Sequence, residues 1–180
     1  MKKKYITELL IIIFMVISSV FSTKIAHSQT INYKSQSLFI YKFTKYIYWP
    51  ENQTKGDFII GVYGNSPIFE ELKIMASLKK TGKGQKIIVR KINSIEEMKG
   101  FHLVYIASSK SREIKNIVSR FGDQPTLIVA ERGGLAKKGA SINFMIMEND
   151  VLKFEFNETR MKTLNLKMSK DLSKLGFKVG

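Results

Sequence analysis

The stretch PTLIVAERGGLAKKGASINFMIMENDVLKFEFN, residues 125–157, decides the fold. Residues 126–130 (TLIVA) are a nearly unbroken apolar run, as expected of a strand buried on both faces. Residues 131–140 follow as a Gly-rich loop in which Gly133, Gly134 and Gly139 are free to take positive φ. Residues 141–147 and 151–156 then flank Glu148-Asn149-Asp150, whose Asn-Asp pair is hairpin-turn chemistry. In the second arm Leu152, Phe154 and Phe156 alternate with Lys153, Glu155 and Asn157, which predicts one buried and one wet face. The block reads as a sheet passing from parallel to antiparallel pairing at its edge. It carries no catalytic motif.

Upstream, residues 35–49 (SQSLFIYKFTKYIYW) place Leu38, Phe39, Phe43, Tyr46 and Ile47 near helical spacing. Pro50 predicts a stop at or just before Trp49, because the residue preceding proline disfavours the α region. An aromatic stripe of this density serves either as core or as a partner surface, and Phe39, Tyr46, Tyr48 and Trp49 are the candidates for the second role. Residues 57–63 (DFIIGVY) predict the first strand, and residues 67–78 a helix led by Pro67, with Ser66 as cap and Glu70 and Glu71 near its positive end. Gly82-Lys83-Gly84 lacks the spacing of a phosphate-binding loop, so residues 79–85 read as an exposed turn. Residues 86–92 predict a second strand, and Ser94 with Glu97 a capping box opening a short helix. Residues 102–107 predict a third strand that delivers Ser108 and Ser109 to its end. A helix through Phe121 follows, with Gly122 just past it.

Downstream, Asn157 or Thr159 is placed to cap a last helix, and residues 165–177 are amphipathic with Leu166, Met168, Leu172 and Leu175 facing inward. Alternating strands and helices predict a three-layer α/β/α sandwich, its sheet mainly parallel with an antiparallel C-terminal hairpin at one edge.

Residues 1–28 decide the compartment. Lys2, Lys3 and Lys4 precede the apolar run LLIIIFMVISSV, and Ala26-His27-Ser28 supplies small residues for cleavage before Gln29. That is the pattern of a secretory signal peptide, and an apolar run this short falls below the roughly 20 residues of a membrane span. Export to the periplasm is expected, with residues 29–180 forming one domain. Cysteine is absent, which removes disulfide staples, thiol nucleophiles, lipid acylation and zinc sites of the Cys type. The formal net charge is +15 and the hydrophobic fraction 44%. A basic patch for an acidic partner or anionic lipid is one reading of that charge; lysines scattered over a solvated surface are the other, favoured by the lack of any Lys/Arg block longer than three. Export argues against nucleic acid as partner.

In a parallel α/β sheet, ligands sit outside the carboxyl ends of the strands. Those ends supply Asn65 and Ser66, then Ser108 and Ser109, then Glu131 and Arg132. Helix openings there suit a small anion, but the residue types favour the plainer roles: the serines as helix caps, Asn65 as a turn former and the two charged residues as solvated side chains. His102 is the one histidine beyond the leader, and it begins a strand at the opposite end, so a Ser-His-Asp set has no histidine where it needs one. No catalytic set, metal site or cofactor is expected.

The order of pieces resembles a known family. FTKYIYWP closes the first helix on Tyr48-Trp49-Pro50, IIGVYGNSP and LVYIASS follow, then GLAKKGASINF, LKFEFN and LNLKMSKDLSKLG. This is similar to the YfiR-type exported bacterial signalling proteins. Its most specific positions here are Trp49, Pro50, Gly139, Asn143, Phe144, Phe154, Glu155, Asn157, Ser169 and Leu172, residues of mainly structural role. The resemblance implies an α/β domain without chemistry of its own that binds and restrains the periplasmic part of an inner-membrane receptor. In the best-known members that receptor is a diguanylate cyclase, which links the family to cyclic-di-GMP and biofilm formation; other members sit beside sensor kinases. It also implies dimerisation, and membrane contact only through the partner or weak electrostatics. Known inhibitors carry redox-sensing cysteines, absent here, so no redox switching is expected. Gly139-Ala140-Ser141 stands where the family often has Gly-Gly, which predicts a different turn.

Overall fold

The computed structural model describes residues 32–180; the expected signal peptide lies outside them. Helix α1 (Tyr33–Tyr46) starts where the Asn32 carboxamide oxygen accepts from the Ser35 N–H at 2.9 Å, the bond that makes Asn a strong N-cap. It stops at Tyr46 rather than at Trp49. Strand β1 (Ile47–Tyr48) pairs antiparallel with a second two-residue strand, Lys167–Met168, and the Ser169 N–H donates to the Tyr46 carbonyl at 2.9 Å. Tertiary strand pairing therefore ends the helix before the proline can. The buried stripe of α1 is Gln36, Ile40, Phe43 and Thr44, while Leu38 and Tyr46 are exposed, so the helix is rotated from the orientation its aromatic spacing predicted.

The rest of the chain alternates as expected through β2 (Phe58–Tyr63), α2 (Ile68–Leu78), β3 (Ile87–Ile92), β4 (Leu103–Ile106), α3 (Ile114–Phe121) and β5 (Leu127–Ala130). It continues through β6 (Ile142–Ile146), β7 (Leu152–Asn157), α4 (Glu158–Thr163), β8 (Lys167–Met168), α5 (Lys170–Ser173) and β9 (Phe177–Val179). Seven strands form one sheet in the order β3-β2-β4-β5-β6-β7-β9. All neighbours are parallel except β6 and β7, which pair antiparallel with Phe144 opposite Phe154. The hairpin lies at the predicted side of the sheet, with the short β9 added outside it.

Both faces of the sheet are covered. On one, Phe43 of α1 meets Phe144 and Phe154 with ring centres 6.1 and 5.3 Å apart, and Phe39 joins at 5.7 Å from Phe154. Such aromatic pairs contribute about 0.5–1.5 kcal/mol each beyond their buried area, and here they fasten α1 to the hairpin. On the other face Ile114, Ile117 and Phe121 of α3 pack with Met98, Val104 and Ile128.

Several local expectations are corrected. Ser94 makes no capping bond, and residues Ile95–Glu97 form a single 3-10 turn in which the Glu97 carboxylate accepts from the Asn93 N–H at 3.0 Å. The helix after β4 opens as a 3-10 segment, Ser108–Glu113, before becoming α3. The 79–85 turn is anchored: Thr81 is buried, and the Gly82 N–H reaches the Thr44 carbonyl at 3.4 Å. Leu175 is exposed rather than inward. Among the described residues no helix is long and apolar enough to cross a membrane.

Candidate functional site

The carboxyl ends of β2, β4 and β5 lie side by side as topology requires, but the space outside β4 and β5 is occupied by the protein itself. Glu131, placed immediately after β5, is buried. One of its carboxylate oxygens accepts from the Tyr33 hydroxyl at 2.8 Å, and the other from the Ser108 N–H at 2.5 Å. The second bond sets a negative charge at the start of the 3-10 segment, where the free N–H groups favour it. Behind it the Tyr105 hydroxyl donates to the Gln36 side-chain oxygen at 2.7 Å, and the buried Ser66 hydroxyl adjoins both phenols. Burial, reinforced by the Glu131 charge, pushes the Tyr105 phenol far above its ordinary range; burial and the Glu131 hydrogen bond raise Tyr33 as well.

The start of α1 thus plugs the crevice. Ser66, Ser108 and Glu131 come together there, and Glu131 is a structural anchor rather than a solvated side chain. Ser109 lies instead against Gly64, whose φ of +92° and lack of a Cβ let the Ser109 hydroxyl and Lys110 stem approach. Asn65 borders an open cleft of about 280 Å³ at the ends of β2 and β3, together with Tyr63, Lys91, Asn93 and Lys110. Arg132 is exposed and joins neither group. Sequence reading missed Tyr33, Gln36 and Tyr105; the available signal was Asn32, a strong cap residue three positions before the expected helix start.

Beside the cleft, Glu113 accepts from the Tyr63 hydroxyl at 2.6 Å and from Lys110 at 2.9 Å. These bonds hold the Glu113 carboxyl below its usual range and raise Lys110, while desolvation followed by the Glu113 bond raises Tyr63. All three shifts move away from neutrality. His102 is at the opposite end of the strands. Its Nδ1 accepts from the Ile59 N–H at 3.0 Å and its Nε2 faces the Gln53 carbonyl at 3.1 Å, which assigns the proton to Nε2. Among the described residues no cluster of three or more His, Asp or Glu side chains is arranged to hold a metal ion.

The expected wet face of β7 is covered. Asn143, fully buried on β6, accepts from the Ala136 N–H at 2.7 Å and donates to Glu155 at 2.9 Å. Glu155 also accepts from the Gly134 N–H at 3.2 Å, and Asn157 donates to the Ala136 carbonyl at 2.9 Å while capping α4 through Arg160. The Gly-rich loop is therefore stitched over the hairpin by three side chains. Gly139 takes φ +105° facing Val118, whereas Ala140 has no positive φ, so a second glycine is not required at the turn. Ser169 accepts from the Leu172 N–H at 3.2 Å and opens α5, whose Leu172 is buried.

Of the four aromatic candidates for a partner surface, Tyr46 and Tyr48 are exposed. Phe39 belongs to the aromatic cluster, and Trp49 stands edge-on to Phe58 at 4.9 Å with its Nε1–H on the His102 carbonyl at 3.3 Å. Those two serve packing.

Among solved structures, the ABC domain in complex with L-Trp from Streptococcus pneumonia is similar at 13% sequence identity and a TM-score of 0.52. The match covers 68% of this chain and 55% of that chain, so this protein spans little more than half of its length, and the likeness is one of fold. No curated protein matches the sequence. A family model described as YfiR/HmsC-like matches residues 33–176, which takes in α1, strands β2 to β7 of the main sheet with the stitched hairpin, and α5. By that match the chain belongs to the YfiR/HmsC-like family.

Proposed function

We propose that this protein is a non-enzymatic regulator that binds and restrains the periplasmic part of an inner-membrane signalling receptor with cyclase or kinase output. The family is regulatory and periplasmic. The observation that carries the reading is the plugged crevice: Tyr33, Ser108 and Glu131 satisfy one another where a ligand or reaction centre would otherwise sit. Function then falls to the outer surface. We place the partner contact at the exposed Tyr46 and Tyr48, on the corner where α1 passes into the β1–β8 ribbon, since exposed tyrosines are frequent binding anchors. Residues 1–28 act as the cleaved signal peptide, residues 29–180 as one domain, and the protein pairs with a second copy of itself. No cofactor is needed.

Crosslinking of the tagged protein in its own cells, followed by mass spectrometry of membrane partners, tests this. Recovery of one receptor with a cyclase or kinase output domain is expected, with the yield lowered by Tyr48→Ala. Self-crosslinks alone would overturn the reading.

A second reading rests on the cleft beside Asn65 and Lys110. Its occupant would be a small anion or nucleotide-like ligand whose binding raises thermal stability. Phosphate and nucleotides raising the melting temperature of the native protein but not of Lys110→Ala would support it.

A further inference from the structure

The basic charge of the chain is unevenly placed. Residues 32–50, which hold α1 and β1, contain no Asp or Glu, and neither do residues 72–95, which run from α2 through the following loop and β3. These two segments lie side by side. The Ser37 hydroxyl donates at 3.2 Å to the carbonyl of Glu71, the acid just before the second segment, and the Lys79 ammonium sits 5.8 Å from the Tyr41 ring centre. The Gly82 N–H to Thr44 carbonyl bond closes the other end.

On α1 the residues Leu38, Tyr41, Lys42, Lys45 and Tyr46 share one face by helical spacing and border a shallow groove of about 380 Å³. On α2, Ile74 and Leu78 continue the row of Glu71, the residue that touches α1. Leu38 is 54% exposed, Tyr46 41%, Ile74 56% and Leu78 73%. The Lys45 ammonium lies 5.8 Å from the ring centres of both Tyr41 and Tyr46. Among the described residues, none of Lys42, Lys45, Lys79, Lys80 and Lys83 takes part in an ion pair.

Scattered apolar side chains on a surface need no explanation. Four large ones interleaved with five lysines outside any ion pair, on a face built around two helices whose only acids are Glu71 at their contact and Glu70 paired with Lys73, are a different case. The centres of protein–protein interfaces are depleted in lysine, whose ammonium is costly to desolvate. A bilayer surface has the opposite demand: leucine and isoleucine tips enter the acyl boundary, tyrosine rings sit at headgroup level and lysines meet lipid phosphates. We propose that the joint face of α1 and α2 docks this protein flat onto the surface of an anionic phospholipid bilayer. This goes beyond receptor binding, because it confines the protein to the layer in which membrane-embedded partners are found.

The test is co-sedimentation of the soluble protein, purified from cells expressing the full chain, with vesicles of mixed phosphatidylglycerol and phosphatidylcholine, against vesicles of phosphatidylcholine alone. Binding to the anionic vesicles only, weakened by added salt, is expected. Each basic residue near an anionic surface contributes several-fold to binding, so the triple variant Lys42→Glu, Lys79→Glu, Lys83→Glu should lower partitioning by at least about tenfold. Leu38→Ser with Leu78→Ser should lower it without altering the salt dependence. Lys115→Glu with Lys137→Glu, away from this face on α3 and the Gly-rich loop, should bind as the parent does. All the changed residues are exposed, and circular dichroism verifies that each variant is folded. Absence of vesicle binding, or equal losses in the control pair, would overturn the proposal. Unchanged vesicle binding in the triple variant together with loss of receptor crosslinks would overturn it in favour of an acidic protein partner. The crosslinking test of receptor binding reads out separately, since neither Tyr46 nor Tyr48 is changed here.

Discussion

The Tyr33 hydroxyl and the Glu131 carboxylate, 98 positions apart in the chain, meet at 2.8 Å and close the carboxyl end of the sheet. The bond fixes the first turn of α1 over β5 and, through the second carboxylate oxygen, orients the start of the segment after β4. A fold that in other settings leaves this end open has here turned it into a fastening. Tyr33→Phe removes the donor and leaves a buried carboxylate oxygen without its partner. Because Tyr33 is itself only half-buried, the expected loss is about 1–2 kcal/mol. Urea denaturation of the two proteins measures it, and an unchanged midpoint would show that the helix start is held by packing alone.

The same network predicts weakness in alkali. Tyr105 is raised above its ordinary value of 10.0, chiefly by burial and then by the Glu131 charge, and Tyr33 and Tyr63 are raised too. A phenol that ionises more readily in the unfolded chain gives the fold an advantage that is complete below pH 10.0 and is lost as pH rises beyond it. Stability should therefore fall steadily above that value. Tyr105→Phe, stable enough to measure at neutral pH, should show a shallower fall. A slope identical to the parent's would mean that Tyr105 takes no part.

His102 gives the corresponding effect in acid. Desolvation lowers its pKa below the ordinary 6.5, opposed in part by the Gln53 carbonyl. The unfolded chain then binds the proton more readily, so the stabilisation is present above pH 6.5 and is lost as pH falls from there toward the lower folded value. Protonation would also put a hydrogen on Nδ1, which now accepts from the Ile59 N–H. Chemical denaturation on either side of pH 6.5 should show a decline in the parent that His102→Gln lacks. Equal declines would assign the effect to other groups.

Strands β2 to β6 were legible because each is a run of four to six mainly apolar residues bounded by a turn, and local pattern suffices for that; the three-residue β9, with Lys178 at its centre, has no such pattern. The hairpin was legible from the Asn149-Asp150 pair, and Asp150 does adopt φ +59°. What local pattern does not carry is which long-range bond overrides it. Ile47 and Tyr48 continue a helical stripe in isolation, yet pair with residues 167–168, which lie far along the chain. Glu155 and Asn157 read as solvent-facing because strand alternation says nothing about a loop folding back over them. Glu131 reads as a solvated loop charge for the same reason: its partners, Tyr33 and the Ser108 N–H, come from two other segments. The family positions on the hairpin were found from the resemblance; that Asn143, Glu155 and Asn157 fasten the loop while Phe144 and Phe154 hold α1 became visible only in the contacts.

That fastening can be broken at one residue. Asn143 has no exposed surface; its oxygen satisfies the Ala136 N–H, and its amide supplies Glu155 with a donor. Asn143→Leu keeps nearly the same volume while leaving a buried N–H and a half-buried carboxylate each short of a partner. With each such group costing about 1–3 kcal/mol, the expected destabilisation is about 2–4 kcal/mol. Glu155→Gln keeps an acceptor for both donors and should cost less. Loss of hydrogen-exchange protection should be greatest at Ala136 in the Leu variant, because that amide loses its only acceptor, while the parallel strands keep theirs. A Leu variant within about 0.5 kcal/mol of the parent, with Ala136 still protected, would show that the loop is held by the apolar contacts of Leu135 and Ala140 and not by the asparagine.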